Sequence, residues 1–268
     1  PFRHIVENDN KNKNKKSKWI ENDIKRAGLD RFQYSRMCPI VSFCTAEHYL
    51  DLPFVFPDDI MRVFKGYDVS KCINPYINIE AYEQDWMKKV PTAVFRGSAT
   101  GCGWTARNNP RIRLAFISRN FSNTKTNTKK EKEKPLLDVQ LTGEDTVHFK
   151  KNRWNEFVKF MTPEEIGIIQ HPELSLDNVA QSKYKYVIYI EGNVAAYRLC
   201  NLFAMGSVVI YVQSEYIPWI YPFMRHGENC IIVPNVDAIP NTVIWCRSHD
   251  AKCKQIAEKG MNLFRMVM

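Results

Sequence analysis

TAVFRGSATGCG, residues 92–103, joins a short apolar run to a glycine-rich turn, and a helical pattern follows from Arg111 to Arg119. The run Thr92–Phe95 predicts a buried strand. A strand, a glycine-rich turn and a helix in this order are typical of an anion-binding loop, because the amide groups at the helix N-terminus can meet the anion. The turn has neither the GK[ST] of a Walker A loop nor the GxGxxG spacing, so alone it is a weak signal.

A second strand-turn-helix unit follows in YVIYIEGNVAAYRLCNLFAM, residues 186–205. Tyr186–Ile190 predicts a strand, Val194–Met205 has helical periodicity, and Gly206 is a typical helix stop. Further elements are predicted as strands at Pro39–Cys44, Leu136–Leu141, Ser207–Val212 and Cys230–Val233 and as helices at Glu80–Lys89, Asn152–Met161, Tyr216–Met224, Val236–Arg247 and Asp250–Met266. Strands that alternate with helices predict right-handed βαβ units and a mostly parallel sheet.

Arginines follow both turns. In an open parallel sheet, ligands bind beyond the carboxyl ends of the strands. Arg96 ends the first strand, and the pattern places Arg198 one turn inside the helix after the second. Arg107, Arg111 and Arg113 follow the glycine turn. Guanidinium groups beside a helix N-terminus are what a diphosphate requires. The alternative is that Arg198 is a surface residue on an amphipathic helix.

Composition and charge argue against a nucleic-acid-binding protein and against a membrane-spanning one. The 268 residues are 44% hydrophobic and 25% charged, which is typical of a globular protein with one large or two smaller domains. Most of the net charge of +9 lies in two lysine-rich runs, Lys11–Lys18 and Lys125–Lys134. Neither run contains the aromatic residues that bind bases, so solvated insertions are favoured over a nucleic-acid site. Arg198 and Asn201 interrupt the longest apolar stretch, so no membrane span is predicted.

The eight cysteines are scattered and form no CxxC motif, which favours free thiols. Cys246, His249 and Cys253 fall on one stripe of a helix, but a zinc site would need a fourth ligand. We therefore predict core cysteines, a surface histidine and no metal site.

The segment FRGSATG, Phe95–Gly101, and the block Lys183–Val212 resemble glycosyltransferase family 90, the capsule-associated and Rumi-type family that includes the protein O-glucosyltransferases. PIVSFCTAEHYLDLPF, NPRIRLAFISR, EYIPWIYP and HDAKCKQIAEKGMNLF also match, in the order of the family, from Pro39 to the end. The lysine- and asparagine-rich insertions are similar to those of family members from large DNA viruses.

The resemblance implies an α/β, GT-B-like fold, with a Rossmann-like parallel sheet lobe that has helices on both faces and part of a second lobe. Residues 91–268 would bind the nucleotide sugar, and residues 1–90 would be the remainder of an N-terminal, acceptor-side lobe. The implied activity is an inverting, metal-independent transfer of a hexose or pentose from a UDP-sugar to a hydroxyl of a protein or glycan, without a cofactor. The alternative is a non-catalytic nucleotide-sugar-binding or interaction module. The compartment would be cytoplasmic for a viral member and the ER or Golgi lumen for a cellular eukaryotic one.

The resemblance also implies site residues. By motif position, Ser98 and Arg198 match family residues that contact the nucleotide diphosphate. A second family arginine lies shortly after the glycine turn, and both Arg107 and Arg111 remain candidates. The predicted diphosphate-binding residues are Arg96, Gly97, Ser98, Thr100, Gly101, Arg107, Arg111 and Arg198, and the supporting residues are Gly192, Asn193, Val194 and Ala195. Gly97 and Gly101 would let the backbone approach the phosphates.

The catalytic base is not assigned by the motifs. In the family it is an aspartate of an Arg-Asp pair shortly before the segment that matches Pro39, and this chain contains no such pair. We expect the base upstream of Pro1, with Asp30 as the remaining candidate, although Asp30 precedes Arg31 in the reverse order. If the base lies upstream, these residues alone would bind the donor without transferring the sugar.

Overall fold

The computed structural model describes residues 41–47, 49, 51–55, 82, 84–101, 103, 105–123, 134–142, 149–151, 157–159 and 171–267. Residues 41–268 form one compact unit. Asp30, the run Lys11–Lys18 and nearly all of Lys125–Lys134 lie outside the described residues. The predicted division near residue 90 stays a prediction.

The strands are β1 (Val41–Ser42), β2 (Cys44–Thr45), β3 (Leu52–Pro53), β4 (Val90–Gly97), β5 (Leu137–Leu141), β6 (Phe149–Lys151), β7 (Phe157–Lys159), β8 (Tyr184–Tyr189), β9 (Val208–Val212), β10 (Ile217–Pro218) and β11 (Ile231–Val233). The α-helices are α1 (Pro110–Asn123), α2 (Asn178–Ser182), α3 (Leu199–Ala204), α4 (Ile239–Ser248) and α5 (Asp250–Val267). Short 3₁₀ helices cover Trp86–Lys88, Pro172–Leu174, Tyr221–Phe223 and Val236–Ala238.

A five-stranded parallel sheet forms the centre of this unit, in the order β11-β9-β8-β4-β5. Val187 of β8 lies beside Val94 of β4 on one side and Val209 of β9 on the other. These strands are nearly continuous apolar runs because both faces of a parallel sheet are covered. The predicted parallel α/β sheet is confirmed.

Successive residues of each strand point to opposite faces, and each face has its own core. On one face Phe95, Ile188 and Ile210 pack with residues of α1 and α4. On the other face Tyr189 and Tyr211 stack at 5.0 Å between ring centroids and pack with α3 and the end of α5. The helices therefore lie on both faces of the sheet, as predicted.

Two segments differ from their predicted structures. Pro39–Cys44 was expected to be a buried strand, but its described part forms the short strands β1 and β2, with Val41 54% and Phe43 44% exposed. Tyr216–Met224 was expected to be helical, but it contains β10, which pairs with β2, and a 3₁₀ turn. Pro218 and Pro222 explain the second difference, because proline lacks the amide proton that an inner helical turn requires.

Three predicted helices differ from the structure. Within the predicted helix Glu80–Lys89, Trp86–Lys88 forms a short 3₁₀ helix. Phe157–Lys159 is a strand inside the predicted helix Asn152–Met161. The predicted helix Val194–Met205 begins only at Leu199, so Arg198 is its N-cap instead of lying one turn inside it.

The cysteines of the proposed stripe lie in the core. Cys246 and Cys253 are fully buried, and the Cys253 thiol donates to the Cys246 carbonyl at 3.6 Å. His249 is exposed and stacks on Trp245, as the surface interpretation predicted.

Among the helices of the described residues, none has both the length and the apolar character needed to cross a bilayer.

Candidate functional site

The turns that follow β4 and β8 meet at the carboxyl edge of the sheet. Arg198 reaches over β4 and donates from Nη1 to the carbonyl of Arg96. A Cβ atom on Gly97 would lie 3.1 Å from Nη2 of Arg198, so a larger residue at this position would require the guanidinium to shift by a few tenths of an ångström. Arg198 therefore lies against the residue that precedes Ser98. The junction of these two turns, which includes both Ser98 and Arg198, is called the crevice below.

Arg111 holds the two turns together. From the first turn of α1 its Nη1 donates to the carbonyl of Ser98 at 2.9 Å and to the hydroxyl of Thr100 at 2.7 Å. Its Nε and Nη2 donate to the carbonyls of Glu191 at 2.7 Å and Ile190 at 2.9 Å, beyond the end of β8. The residue is 4% exposed. Arg111 was predicted as a diphosphate ligand, but these four bonds make it a positioning residue that fixes the shape of the crevice.

A pair of asparagines completes the junction. Asn109 is buried and caps α1, because its Oδ1 accepts from the amides of Arg111 and Ile112 at 3.0 and 3.1 Å. Its Nδ2 donates to the carbonyls of Ala99 and Gly103. Sequence reasoning missed Asn109, although an asparagine directly before a proline is a typical helix start.

Asn193 links the second turn to the first. Its Oδ1 accepts from the amide of Gly101 at 3.0 Å. Gly101 has φ = 107°, in the region that favours glycine. The contact joins the two turns, and the predicted donor-side role of Asn193 stays a prediction.

Two cations share the ring of Phe95. The guanidinium carbon of Arg111 lies 5.6 Å from the ring centroid, and that of Arg198 lies 5.7 Å from it. Burial, together with the positive charge of Arg198, lowers the pKa of Arg111 to about 10. The four oxygens that Arg111 contacts are neutral carbonyl and hydroxyl groups. The two guanidinium groups therefore place positive charge beside the glycine turn.

Arg96 does not belong to this group of cations. Its guanidinium forms an ion pair with Asp138 of β5 at 2.8 Å and donates to the carbonyls of Leu174 and Asp138. The side chain is 7% exposed. The prediction that Arg96 binds a diphosphate through its side chain is corrected, because the acid of the neighbouring strand takes up its charge.

A cavity of about 350 Å³ opens beside the crevice, over the carboxyl ends of β8, β9 and β11 and the start of α1. Arg107 is exposed and lines this cavity, so of the two arginines predicted for one family position it is the one directed at open space. Glu191, which follows β8, also lines the cavity.

The remaining predicted residues belong to the same two turns. The Gly192 amide donates to the Val194 carbonyl at 2.9 Å, and Ala195 is buried while Val194 is exposed. The amide of Ala196 donates to the hydroxyl of Tyr189 at 2.8 Å, which fixes the turn before Arg198. Among the described residues there is no group of three His, Cys, Asp or Glu side chains that could hold a metal ion.

The sequence profile of glycosyl transferase family 90 matches residues 22–268. The chain belongs to this family. A similar relative, protein 035R of Invertebrate iridescent virus 3, is 27% identical over 242 residues, which cover 88% of this chain and 20% of the viral protein. Human protein O-glucosyltransferase 1 is 24% identical over 189 residues, covering 69% of this chain and 39% of the human protein. The chain thus spans about a fifth of the viral relative and two fifths of the human one.

Among solved structures, Anabaena HepE in complex with UDP-glucose is similar, with a TM-score of 0.39 and 10% identity. The similarity covers 70% of this chain and 50% of HepE.

Proposed function

We propose that this chain is the donor-binding part of a glycosyltransferase that moves a hexose or pentose from a UDP-sugar to a hydroxyl group of a protein or glycan. The family resemblance implies the UDP-sugar. The name of the human relative supports a hydroxyl acceptor on a protein.

One observation carries the proposal: Arg198 lies against Gly97 and beside Ser98, at the carboxyl ends of two neighbouring parallel strands. A pyrophosphate needs cationic forks together with amide or hydroxyl donors, and this junction offers both. The positive charge of Arg111 below the crevice adds to the attraction.

The proposed reaction is a single displacement with inversion. The acceptor oxygen forms a bond to the anomeric carbon while the bond from that carbon to the diphosphate oxygen breaks, and UDP leaves with the electron pair. A carboxylate takes the proton of the acceptor hydroxyl. Arg198 and the donors of the glycine turn stabilise the charge that develops on the leaving diphosphate, so the proposal needs no metal ion or cofactor. The base stays unassigned, since Asp30 lies outside the described residues.

Calorimetric titration of the Arg198→Ala variant with UDP tests the proposal. Loss of one charge-assisted partner should weaken binding by about 1.5–3 kcal/mol. Arg119→Ala is the matched control, because Arg119 is an exposed arginine far along α1 and its loss changes the net charge equally. Unchanged affinity of Arg198→Ala would refute the proposed role.

A screen of nucleotide sugars with the full-length protein, read out as released UDP, tests the transferase itself. UDP release with one donor is the expected result. UDP binding without any release would favour the non-catalytic module.

A further inference from the structure

A second pocket, of about 300 Å³, lies at the amino edge of the sheet, opposite to the crevice. We call it the amino-edge pocket. Pro91 of this pocket and Gly97 of the crevice lie six positions apart in β4, which corresponds to about 20 Å along a strand. The lining comes from the starts of β4, β8 and α5, the end of α4 and the segment before β5, and it consists of Pro91, Lys134, Lys185, Tyr186, Arg247 and Asp250.

The lining of the amino-edge pocket has an excess of positive charge. Its cationic residues are Lys134, Lys185 and Arg247, and its acidic residue is Asp250. Both oxygens of the Asp250 carboxylate already accept hydrogen bonds. Lys185 donates to Oδ1 at 2.6 Å, and the indole nitrogen of Trp86 donates to Oδ2 at 3.0 Å. The acid therefore balances one of the three cations, and the lining as a whole attracts anions.

The guanidinium of Arg247 has a fixed position in this lining. Its Nε donates to the carbonyl of Pro91 at 2.7 Å. Its Nη2 donates to the carbonyls of Lys134 and Pro135 at 3.0 and 2.6 Å. Because these bonds order the side chain before a ligand arrives, binding there costs less conformational entropy.

Tyr186 brings an unused hydrogen-bond donor to the same place. The residue is fully buried, and its hydroxyl has no hydrogen-bond partner among the described residues. The charges of Arg247 and Asp250 act on this hydroxyl, so it lies near the charged part of the lining. Burial raises the pKa of the hydroxyl, which therefore keeps its proton at neutral pH and can donate it in a hydrogen bond. A buried polar group without a partner is costly, and a bound ligand is one way to satisfy it.

We propose that the amino-edge pocket binds a phosphate group, with Lys134 and Arg247 supplying the charge and the Tyr186 hydroxyl donating a hydrogen bond. A terminal phosphate presents three acceptor oxygens, which suits donors that come from several directions. The volume is enough for a phosphate that carries a short organic group as well as for the free ion. Tyr186 is the aromatic residue of the lining and its ring is buried, so no ring is offered for stacking on a base of a nucleic acid.

This inference goes beyond the proposed function and does not depend on it, because no residue of the crevice takes part. It gives the protein a second anion site at the other edge of the sheet.

Calorimetric titration of the full-length protein with glycerol 3-phosphate and with inorganic phosphate, in a phosphate-free buffer, tests the inference. The wild type should bind at least one of them. Tyr186→Phe should bind it about tenfold or more weakly, because a hydrogen bond to a charged group is lost. Lys134→Gln removes an exposed charge and should weaken binding by about two- to fivefold. Arg198→Ala is the control, since its site lies at the opposite edge, and it should keep the wild-type affinity.

Stability measurements separate a lost ligand contact from a damaged fold. Without phosphate, Tyr186→Phe should unfold at the same urea concentration as the wild type, because its hydroxyl has no partner to lose among the described residues. With phosphate added, the melting temperature of the wild type should rise more than that of Tyr186→Phe.

The two probes distinguish the source of the phosphate group. Tighter binding of glycerol 3-phosphate identifies a monoester, and equal or tighter binding of inorganic phosphate identifies the free ion. If the wild type binds neither probe, or if Tyr186→Phe keeps the wild-type affinity, the inference is wrong. Loss of binding in Arg198→Ala alone would place the phosphate in the crevice, which would overturn the inference and leave the proposed function standing.

Discussion

Replacing Arg111 by methionine should destabilise the folded chain even when no nucleotide is present. The methionine keeps much of the apolar length of the side chain but leaves the carbonyls of Ser98, Ile190 and Glu191 and the hydroxyl of Thr100 without this donor. A hydrogen bond to a charged group contributes about 1.5–3 kcal/mol.

The contributions of the four Arg111 hydrogen bonds to the free energy of unfolding cannot be added. Arg111 is 4% exposed, and its pKa, lowered to about 10, reflects the cost of burying its charge. Replacing the cation by an apolar side chain removes this desolvation cost, as happens when a buried ion pair is replaced by apolar residues. We expect a net loss of about 2–4 kcal/mol in the free energy of unfolding.

Urea denaturation followed by tryptophan fluorescence measures this loss. Arg113→Met is the matched control, because Arg113 lies two residues further along α1 and its exposed ion pair with Asp237 should contribute little. A free energy of unfolding for Arg111→Met within about 0.5 kcal/mol of the wild type would refute the reasoning, because such a value is typical of surface substitutions. Equal losses in the two variants would refute it as well.

The remaining predictions concern a buried lysine and a buried tyrosine. Burial lowers the pKa of Lys89 from 10.5 to about 8, so between these values the folded chain releases the proton before the unfolded chain does. The stability of the wild type relative to Lys89→Met should therefore rise as the pH increases from about 8 to 10, and urea titrations that show a constant gap would contradict this. Tyr189→Phe removes the hydroxyl that accepts from Ala196 and should cost about 1–2 kcal/mol of stability and weaken UDP binding. Tyr186→Phe is its control, since that buried hydroxyl has no partner among the described residues; an equal loss in thermal or urea unfolding would disprove the role of the Tyr189 bond.

The central strands of the fold could be predicted because each is an almost uninterrupted apolar run, as in the segment around Ile188. The helix after β8 was placed too early. Its first predicted turn is instead held by the Tyr189 hydroxyl and the Gly192 amide, contacts that periodicity does not reveal. The exposed segment around Phe43 was predicted to be buried because its residue types alone suit a core.

In the candidate site, too, some features could be predicted from the sequence and others could not. Parallel strands end at one edge, so the convergence of Ser98 and Arg198 followed from the topology. The roles of Arg96 and Arg111 did not follow from the topology, because each depends on a partner that is distant in sequence. That partner is Asp138 for Arg96 and the carbonyls beyond β8 for Arg111.

The hydrogen bonds of Arg111 between the two turns also affect the entropy cost of ligand binding. Both turns are already fastened to each other through Arg111, Asn109 and Asn193 before anything binds. Ligand binding therefore loses little conformational entropy from ordering these loops. The affinity of the crevice then depends mainly on the conformational entropy that the ligand itself loses and on the water that it displaces. Mutational change of donor preference should accordingly arise at the cavity wall, where a side chain can be exchanged without loosening the junction.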